Sequence, residues 1–285
     1  MRFGLNIVPV RAADLTRVGR RAEELGYDSL WYGEHVATPV RLQTPYPRNG
    51  GRPPFSPDSR FLEPFATLTH LAAVTSRVTL GTGVLVAPLH APMHLARALT
   101  TLDVLSGGRA ALGLGVGWMK DEFDIMDREF GNRGKRTDEL LEVLDLLFTE
   151  ARPRYAGRYY RFDEVGFEPK PVSRPRPPFL VGGESEASLR RAVLRGDGWF
   201  GSSAPVEQIA ACLRRIGELR VELGRTEQAF ETTAITPFGQ GFDAGLIDAY
   251  AALGIDRLVV TPWRRPAEAV DAVAEFAEQA GLTAV

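Results

Sequence analysis

The sequence predicts a (βα)8 barrel, in which eight parallel strands close a cylinder and helices cover its outside. Short β-branched runs alternate with longer amphipathic segments along the whole chain, as in a parallel sheet connected by helices. The runs number eight, and eight strands can close a barrel whose interior is filled by side chains. The length of 285 residues suits such a barrel, so we expect residues 1–285 to form a single domain.

The predicted strands are short runs bounded by turn-forming residues. In chain order they are Arg2–Val8, Ser29–Gly33, Val78–Val86, Arg109–Gly115, Phe179–Gly182, Gly198–Phe200, Phe230–Ile235 and Arg257–Thr261.

The helices between these strands are indicated by apolar residues spaced three and four apart. Gly26 and Gly254 follow the first and seventh helices, and Thr137 and Ser185 stand near the starts of two others, in agreement with capping preferences. The clearest apolar spacings are Leu15, Val18, Ala22 and Leu25 in the first helix and Leu140, Val143, Leu144 and Leu147 in the fourth.

An open, doubly wound sheet is the competing architecture. That fold places a G-x-G-x-x-G turn after its first strand to hold a dinucleotide phosphate. Here Pro9, Val10 and Arg11 follow the first strand instead. The barrel is therefore favoured.

Two stretches interrupt the alternation. A segment rich in Pro, Arg and Gly lies between His35 and Phe61, and a long insert of this kind in a compact domain is typical of a functional lid or a mobile loop. Because it follows strand two, we expect it at the mouth of the barrel. The second stretch, Arg152 to Pro178, predicts a short hairpin and an extended arm before strand five.

Composition limits the classes of partner. The formal net charge is -2 and no apolar run is long enough to span a membrane, so we expect neither nucleic acid nor a membrane as a partner. Cys212 is the only cysteine and lies in a helical pattern, which indicates a buried thiol and excludes a disulfide within the chain. The first residues lack the features of a signal peptide, so we expect a cytoplasmic protein.

Catalytic residues of such barrels follow the carboxyl ends of the strands. His35 directly follows strand two and is the best acid–base candidate, with a structural histidine as the alternative. His70 is expected to pack within an apolar helix. His90 and His94 are expected either to line the mouth or to serve as capping or surface residues. No histidine and carboxylate pair has metal-ligand spacing, so we expect no metal site.

Glycines interrupt strands three and four. Glycine inside a strand is typical of a bulge or of the close approach of another group, so we expect a flat group against Gly81 to Val84. Gly113 and Gly115 have a second explanation, because a narrow barrel interior also requires small residues. Trp118 follows strand four and is expected at the mouth rather than in the core.

The turn after strand five carries Gly182, Gly183, Ser185 and Ser188. Glycines, hydroxyl groups and free amides at the start of a helix suit a phosphate group, although an ordinary serine cap has the same appearance. There is no P-loop and no G-x-S-x-G elbow. Kinase and serine hydrolase functions are therefore not expected.

Together these residues resemble the luciferase-like monooxygenase (bacterial luciferase-like) superfamily, and within it the oxidoreductases that use the deazaflavin coenzyme F420. The resemblance covers nearly the whole chain. It rests on residues 22–36 (AEELGYDSLWYGEHV), 71–123, 133–148 (RGKRTDELLEVLDLLF) and 177–200.

The resemblance implies a luciferase-like (βα)8 (TIM) barrel that forms a homodimer and binds the coenzyme across its mouth. It implies a bulge with a cis peptide at Gly83-Val84 beneath the coenzyme ring. It places the phosphate at Gly183, Ser185 and Ser188, and it gives His35 the substrate proton. The other positions implied beside the coenzyme are Gly117, Trp118 and Gly182.

One departure from the family narrows the expected activity. The sugar-phosphate dehydrogenases of this branch carry a catalytic glutamate after strand four, where this sequence has Trp118. Their activity is therefore not expected, and an indole at that place favours a less polar substrate.

The resemblance implies hydride transfer between F420 and a small organic substrate, with His35 handling the accompanying proton. An FMN-dependent two-component monooxygenase and a non-catalytic flavin-binding protein are the alternatives. Arginines in the long insert are expected either to meet an acidic part of the coenzyme or to be merely solvated. They are Arg41, Arg48, Arg52 and Arg60.

Overall fold

The computed structural model describes residues 1–238 and 241–283, and it contains a closed barrel of eight parallel strands. In order around the barrel, the strands are β1 Arg2–Asn6, β2 Ser29–Tyr32, β3 Thr79–Val86, β4 Ala110–Gly115, β7 Phe179–Gly182, β8 Gly198–Gly201, β9 Glu231–Ile235 and β10 Arg257–Val260. The predicted fold class is confirmed, and every predicted strand is present with ends shifted by two residues at most.

Helices cover the outside of the barrel. They are α1 Leu15–Glu24, α2 Pro64–Ala72, α3 Pro92–Ser106, α4 Lys120–Ile125, α5 Arg133–Thr149, α6 Glu186–Arg195, α7 Val206–Glu222, α8 Ala244–Ala252 and α9 Ala269–Gln279. The predicted arm before β7 contains the expected hairpin, in which β5 (Tyr155–Ala156) pairs with β6 (Arg161–Phe162) in antiparallel orientation.

Two predicted helix features are wrong. Thr137 lies in the second turn of α5 and its hydroxyl donates to the Arg133 carbonyl at 2.8 Å, because the helix begins at Arg133, a turn earlier than the pattern suggested. His70 does not pack in the core; its ring lies on the exposed side of α2, 2.8 Å from the Thr16 hydroxyl. Ser185 does cap α6, with its oxygen accepting from the Ser188 amide.

The flat group expected against Gly81 is part of the protein itself. Trp31 on β2 stands directly beside Gly81 on β3, and its indole is fully buried in the interior cluster. A Cβ at Gly81 would lie 2.2 Å from the indole ring. Gly113 on β4 is needed for a similar reason, because a Cβ there would lie 2.0 Å from the Thr82 carbonyl oxygen. Gly81 and Gly113 therefore make room for the Trp31 indole and for the backbone of β3.

An ion-pair network closes the amino-terminal end of the barrel. The Arg257 guanidinium is only 3% exposed; it pairs with Asp28 at 2.9 Å and also with Glu231. Beside it, the Trp31 indole donates to the Ser29 hydroxyl at 2.8 Å. With this end filled, ligands have access from the opposite, carboxyl-terminal end.

Cys212 lies buried on α7, as expected. Burial raises the pKa of its thiol, which opposes formation of the nucleophilic thiolate. In the part of the chain that the structure describes, no helix has both the length and the apolar character needed to cross a bilayer.

Candidate active site at the carboxyl-terminal mouth

The third strand carries a bulge at the mouth. The pairing of β3 with β4 shifts register between Thr82 and Leu85, and the peptide bond between Gly83 and Val84 is cis, as the resemblance implies. Bulges redirect side chains and are frequent beside active sites. Here the bulge places Val84, which is half-buried, at the top of the barrel interior.

Glycines on the neighbouring strands make space for the Val84 side chain. A Cβ at Gly115 would lie 3.1 Å from one Val84 methyl group, and a Cβ at Gly182 would lie 3.2 Å from the other. Val84 packs with the interior cluster of Trp31, Phe200 and their neighbours. The result is an apolar platform, formed by Val84, at the mouth of the barrel.

A buried carboxylate braces this bulge. Glu34 is 8% exposed; it accepts from the Val86 amide at 2.8 Å and its own amide donates to the Val84 carbonyl at 3.3 Å. The His90 Nε2 atom lies 3.0 Å from both Glu34 oxygens. His90 therefore contacts the carboxylate that supports the bulge, whereas His94 is exposed on α3.

His35 follows Glu34 and pairs with a second buried carboxylate. Its Nδ1 atom lies 3.2 Å from Oε2 of Glu122, which is 1% exposed on α4. The other Glu122 oxygen accepts from the amides of Val36 and Ala37 at 2.6 and 3.3 Å. An ionised carboxylate only accepts hydrogen bonds, so opposite an ionised Glu122 a neutral imidazole carries its proton on Nδ1 and its lone pair on Nε2.

Glu122 is a residue of the candidate site that the sequence prediction missed. It lies in the first turn of a six-residue helix, among charged residues that suggest only a solvated surface. Its contact with His35 joins positions 87 residues apart. The one available signal was its place four residues after Trp118, just beyond the end of β4.

Aromatic rings enclose His35. The ring centroid of Phe55 lies 4.5 Å from that of the imidazole, Phe61 lies at 5.2 Å and Trp118 at 6.2 Å. The ring centroid of Tyr46 lies 5.0 Å from that of Trp118. Burial raises the pKa of the Tyr46 phenol although Arg48 opposes the rise. Among the described residues, the rings that contact His35 are aromatic, and Glu122 is the charged group paired with it.

The long insert lies across the mouth and is held on both sides. Asp121 on α4 accepts from the amides of Gln43 and Thr44, each at 2.9 Å, and from the Thr44 hydroxyl. On the opposite side the Arg48 guanidinium binds the Glu184 carboxylate after β7 and the Ser203 carbonyl after β8. Residues 36–62 therefore form a lid over the carboxyl ends of the strands.

The four arginines of the lid have different surroundings. Arg48 is held by Glu184, Ser202 and Ser203, so its charge is already used within the protein. Arg41, Arg52 and Arg60 are exposed. Among the described residues none of these three forms an ion pair, which fits solvated side chains.

The turn into α6 has the geometry of an anion site. Gly183 adopts φ +110°, a region that favours glycine, and its carbonyl accepts from the Trp199 indole at 2.8 Å. The hydroxyl groups of Ser185 and Ser188 lie 2.9 Å apart, and Ser188 is 5% exposed. The first-turn amides of α6 lie at the same turn, and amides at a helix start are suited to donate hydrogen bonds to an anion.

Gly117 and Trp118 differ in their surroundings. A Cβ at Gly117, which has φ +80°, would lie 2.7 Å from Val86, and its carbonyl accepts from the Arg133 guanidinium at 3.1 Å. Gly117 therefore shapes the turn after β4. Trp118 reaches the mouth as predicted. The structure thus places the other predicted residues at the same mouth: Gly83, Val84, Gly182, Gly183, Ser185, Ser188 and His35.

The chain belongs to the luciferase-like monooxygenase family, whose model matches residues 2–238. An uncharacterized protein of Mycobacterium tuberculosis (strain ATCC 25618 / H37Rv) is 31% identical over 242 residues, which cover 85% of this chain and 79% of that protein. The FMNH2-dependent dimethylsulfone monooxygenase of Pseudomonas putida is 32% identical over 149 residues, covering 51% of this chain and 41% of that enzyme.

A solved structure with the same fold is that of an F420-dependent secondary alcohol dehydrogenase in complex with an F420-acetone adduct. It superimposes with a TM-score of 0.79 at 16% identity, and the match covers 98% of this chain and 97% of the dehydrogenase. This likeness concerns the fold. Family and fold together define an oxidoreductase of the luciferase-like class.

Proposed function

We propose that the protein is an F420-dependent oxidoreductase that transfers a hydride between this coenzyme and a small organic substrate. One observation carries the proposal. Glu34 donates its amide to the carbonyl of Val84, and the next residue is His35. One hydrogen bond therefore connects the segment that carries His35 to the bulge that forms the Val84 platform.

The described residues fit such a coenzyme at both of its ends. The Val84 platform, which packs closely against Gly115 and Gly182, would offer an apolar support for a flat ring. The turn at Gly183, with the hydroxyl groups of Ser185 and Ser188, would hold the phosphate. Arg48 neutralises Glu184 next to this turn, which lowers the repulsion that an anion would otherwise meet.

When bound, F420 would supply two-electron hydride chemistry at its ring, and the protein would supply position and a proton path. His35 would take a proton from a substrate hydroxyl, or return it, through Nε2. Glu122 would keep the proton on Nδ1 and stabilise the imidazolium that results. The aromatic lid would exclude water from the reacting atoms.

FMN-dependent monooxygenation is the second candidate. The relative from Pseudomonas putida that carries an FMNH2-dependent activity supports it. FMN also has a flat ring and a phosphate, so the platform and the α6 turn suit it as well.

Turnover tests the proposed function against a purely binding role. We expect the wild-type protein to reduce F420 when a neutral alcohol supplies the hydride, or to oxidise reduced F420 when a neutral ketone accepts it. His35→Ala should lower turnover roughly 10²-fold or more while leaving the affinity for F420 near the wild-type value. Binding of F420 without turnover of any member of a broad panel would support a storage or carrier protein instead.

A further inference from the structure

Phe55, in the middle of the lid, covers the face of His35. Its ring centroid lies 4.5 Å from the imidazole, 5.7 Å from Phe61 and 6.4 Å from Trp118. Phe55 therefore contacts the rings of His35, Phe61 and Trp118. A residue that must reach a substrate proton is covered by a phenyl group of its own chain.

The hydrogen bonds that attach the lid to the barrel are made by residues distant from Phe55 in the chain. The polar attachments of the lid lie before Phe55, at Thr44 and Arg48, and after it, where the Leu62 amide donates to the Tyr32 hydroxyl at 2.8 Å. Phe55 itself lies outside the helices and strands. Its ring is therefore kept in place by ring contacts, which a ligand of similar chemistry can replace one for one.

The chemistry of the cluster defines what replaces it. Trp118, Phe61 and Tyr46 present aromatic surface, and the Glu122 oxygens are already used by His35 and two amides. A charged ligand would lose its hydration here without a free counter-charge, whereas an apolar ring would regain the contacts that Phe55 makes.

We propose that Phe55 occupies the position of the substrate's ring, and that the substrate is a neutral alcohol or ketone with an aromatic or alicyclic ring next to its reacting carbon. The hydroxyl or carbonyl group is its one polar function and faces Nε2 of His35. Substrate binding displaces Phe55, so Phe55 competes with the substrate for the site. The assignment of the reacting groups rests on the proposed function, whereas the displacement of Phe55 does not.

Two alcohols test the substrate class by calorimetric titration of the protein loaded with F420 and of the protein alone. The probes are 1-phenylethanol and lactate, which share a methyl carbinol and differ in having a phenyl ring or a carboxylate. We expect 1-phenylethanol to bind at least 10-fold more tightly than lactate. Equal affinities, tighter lactate binding or the binding of neither probe would overturn the substrate class.

Two lid phenylalanines test the position of Phe55 with 1-phenylethanol as the probe. Phe55→Ala removes the competitor, so its affinity should rise about 3- to 10-fold. Phe61→Ala removes a wall of the site, so its affinity should fall. Phe55→Leu, which keeps most of the apolar cover, should show a smaller rise. A fall in affinity for both Phe55 variants would make Phe55 a wall residue and overturn the proposal.

Coenzyme titrations separate this inference from the proposed function. Binding of F420 is followed by the coenzyme's own fluorescence, independently of the alcohol. If F420 does not bind but Phe55→Ala still tightens binding of 1-phenylethanol, the proposed function fails and the displacement of Phe55 stands. If F420 binds and Phe55→Ala weakens alcohol binding, the reverse holds.

Discussion

The Glu122 carboxylate lies 3.2 Å from Nδ1 of His35 and is held in place by the amides of Val36 and Ala37. This contact holds the imidazole through Nδ1. Among the described residues, none forms a hydrogen bond with Nε2. A carboxylate that orients a histidine in this way is typical of sites in which the histidine acts as a base. Under the proposed function Glu122 would be a positioning residue, because it would act on the substrate only through His35.

Replacing Glu122 by Gln should invert the imidazole tautomer. The Gln oxygen can still accept from the two amides, but its NH2 group would then donate to Nδ1, so the proton moves to Nε2. We expect kcat to fall roughly 10²-fold with F420 affinity unchanged. Glu122→Gln combined with His35→Ala should be no worse than His35→Ala alone, because the two residues act as one unit. Fully additive losses in the double variant would contradict the pairing.

Ser185 and Asp243 offer a matched pair for the anion site. Both cap helices, Ser185 by accepting from the Ser188 amide and Asp243 by accepting from the Leu246 amide. Each change to Ala should lower the free energy of unfolding by about 1 kcal/mol. Only Ser185→Ala should also weaken coenzyme binding, roughly 10-fold, since it loses a hydrogen bond to a charged group. Equal coenzyme affinities in the two variants would remove Ser185 from the site.

The attachment of the lid to Asp121 should depend on pH. Partial burial favours the neutral carboxyl group, but hydrogen bonds from Thr44 and Gln43 outweigh it and lower the pKa of Asp121 to about 2. Because this pKa lies below its unfolded value near 4, the stabilisation is complete above about pH 4 and is lost as the pH falls toward 2.

Comparison with Asp121→Asn measures this effect. At neutral pH the variant should be less stable by about 1 kcal/mol, a value reduced by solvent screening of a half-exposed side chain. The difference in Tm between the two proteins should stay constant from pH 8 to about pH 5 and shrink below about pH 4. A constant difference down to pH 2.5 would show that ionised Asp121 does not hold the lid.

Gly81 should be intolerant of a side chain, because Trp31 fills the space beside it. Gly81→Ala places a methyl group against the indole and should cost roughly 1 to 3 kcal/mol or more in urea unfolding. Gly217, an exposed glycine within α7, has nothing within 4 Å of an added Cβ. Gly217→Ala should therefore stabilise the protein by about 0.5 to 1 kcal/mol. Equal effects of the two changes would contradict the packing described for Trp31.

The barrel was predictable because each strand and helix has its own local pattern. The strand runs and the helical spacing of α1 or α5 depend on nearby residues, as does the serine cap of α6. The helix start at Arg133 was misplaced, because Thr137 resembles a cap and the true boundary is set by the turn after α4. Local patterns predict which helices and strands exist more accurately than they predict where each one begins and ends.

The contacts of the site were less predictable, because they join distant parts of the chain. Glu122 meets His35 across 87 positions, and Arg48 meets Glu184 across 136. Trp31 lies beside Gly81 only because of the register between β2 and β3. The sequence indicated a flat partner for Gly81 but could not indicate that this partner was the protein's own indole.

Titration of the apoprotein with F420 and, separately, with FMN tests the proposed coenzyme most directly. Saturable binding is followed by the fluorescence of each coenzyme, with Ser185→Ala as a site control. We expect tight binding of F420, weaker binding in the variant and little affinity for FMN. Tight binding of FMN without binding of F420 would contradict the proposed function and favour a monooxygenase that receives its reduced flavin from another enzyme.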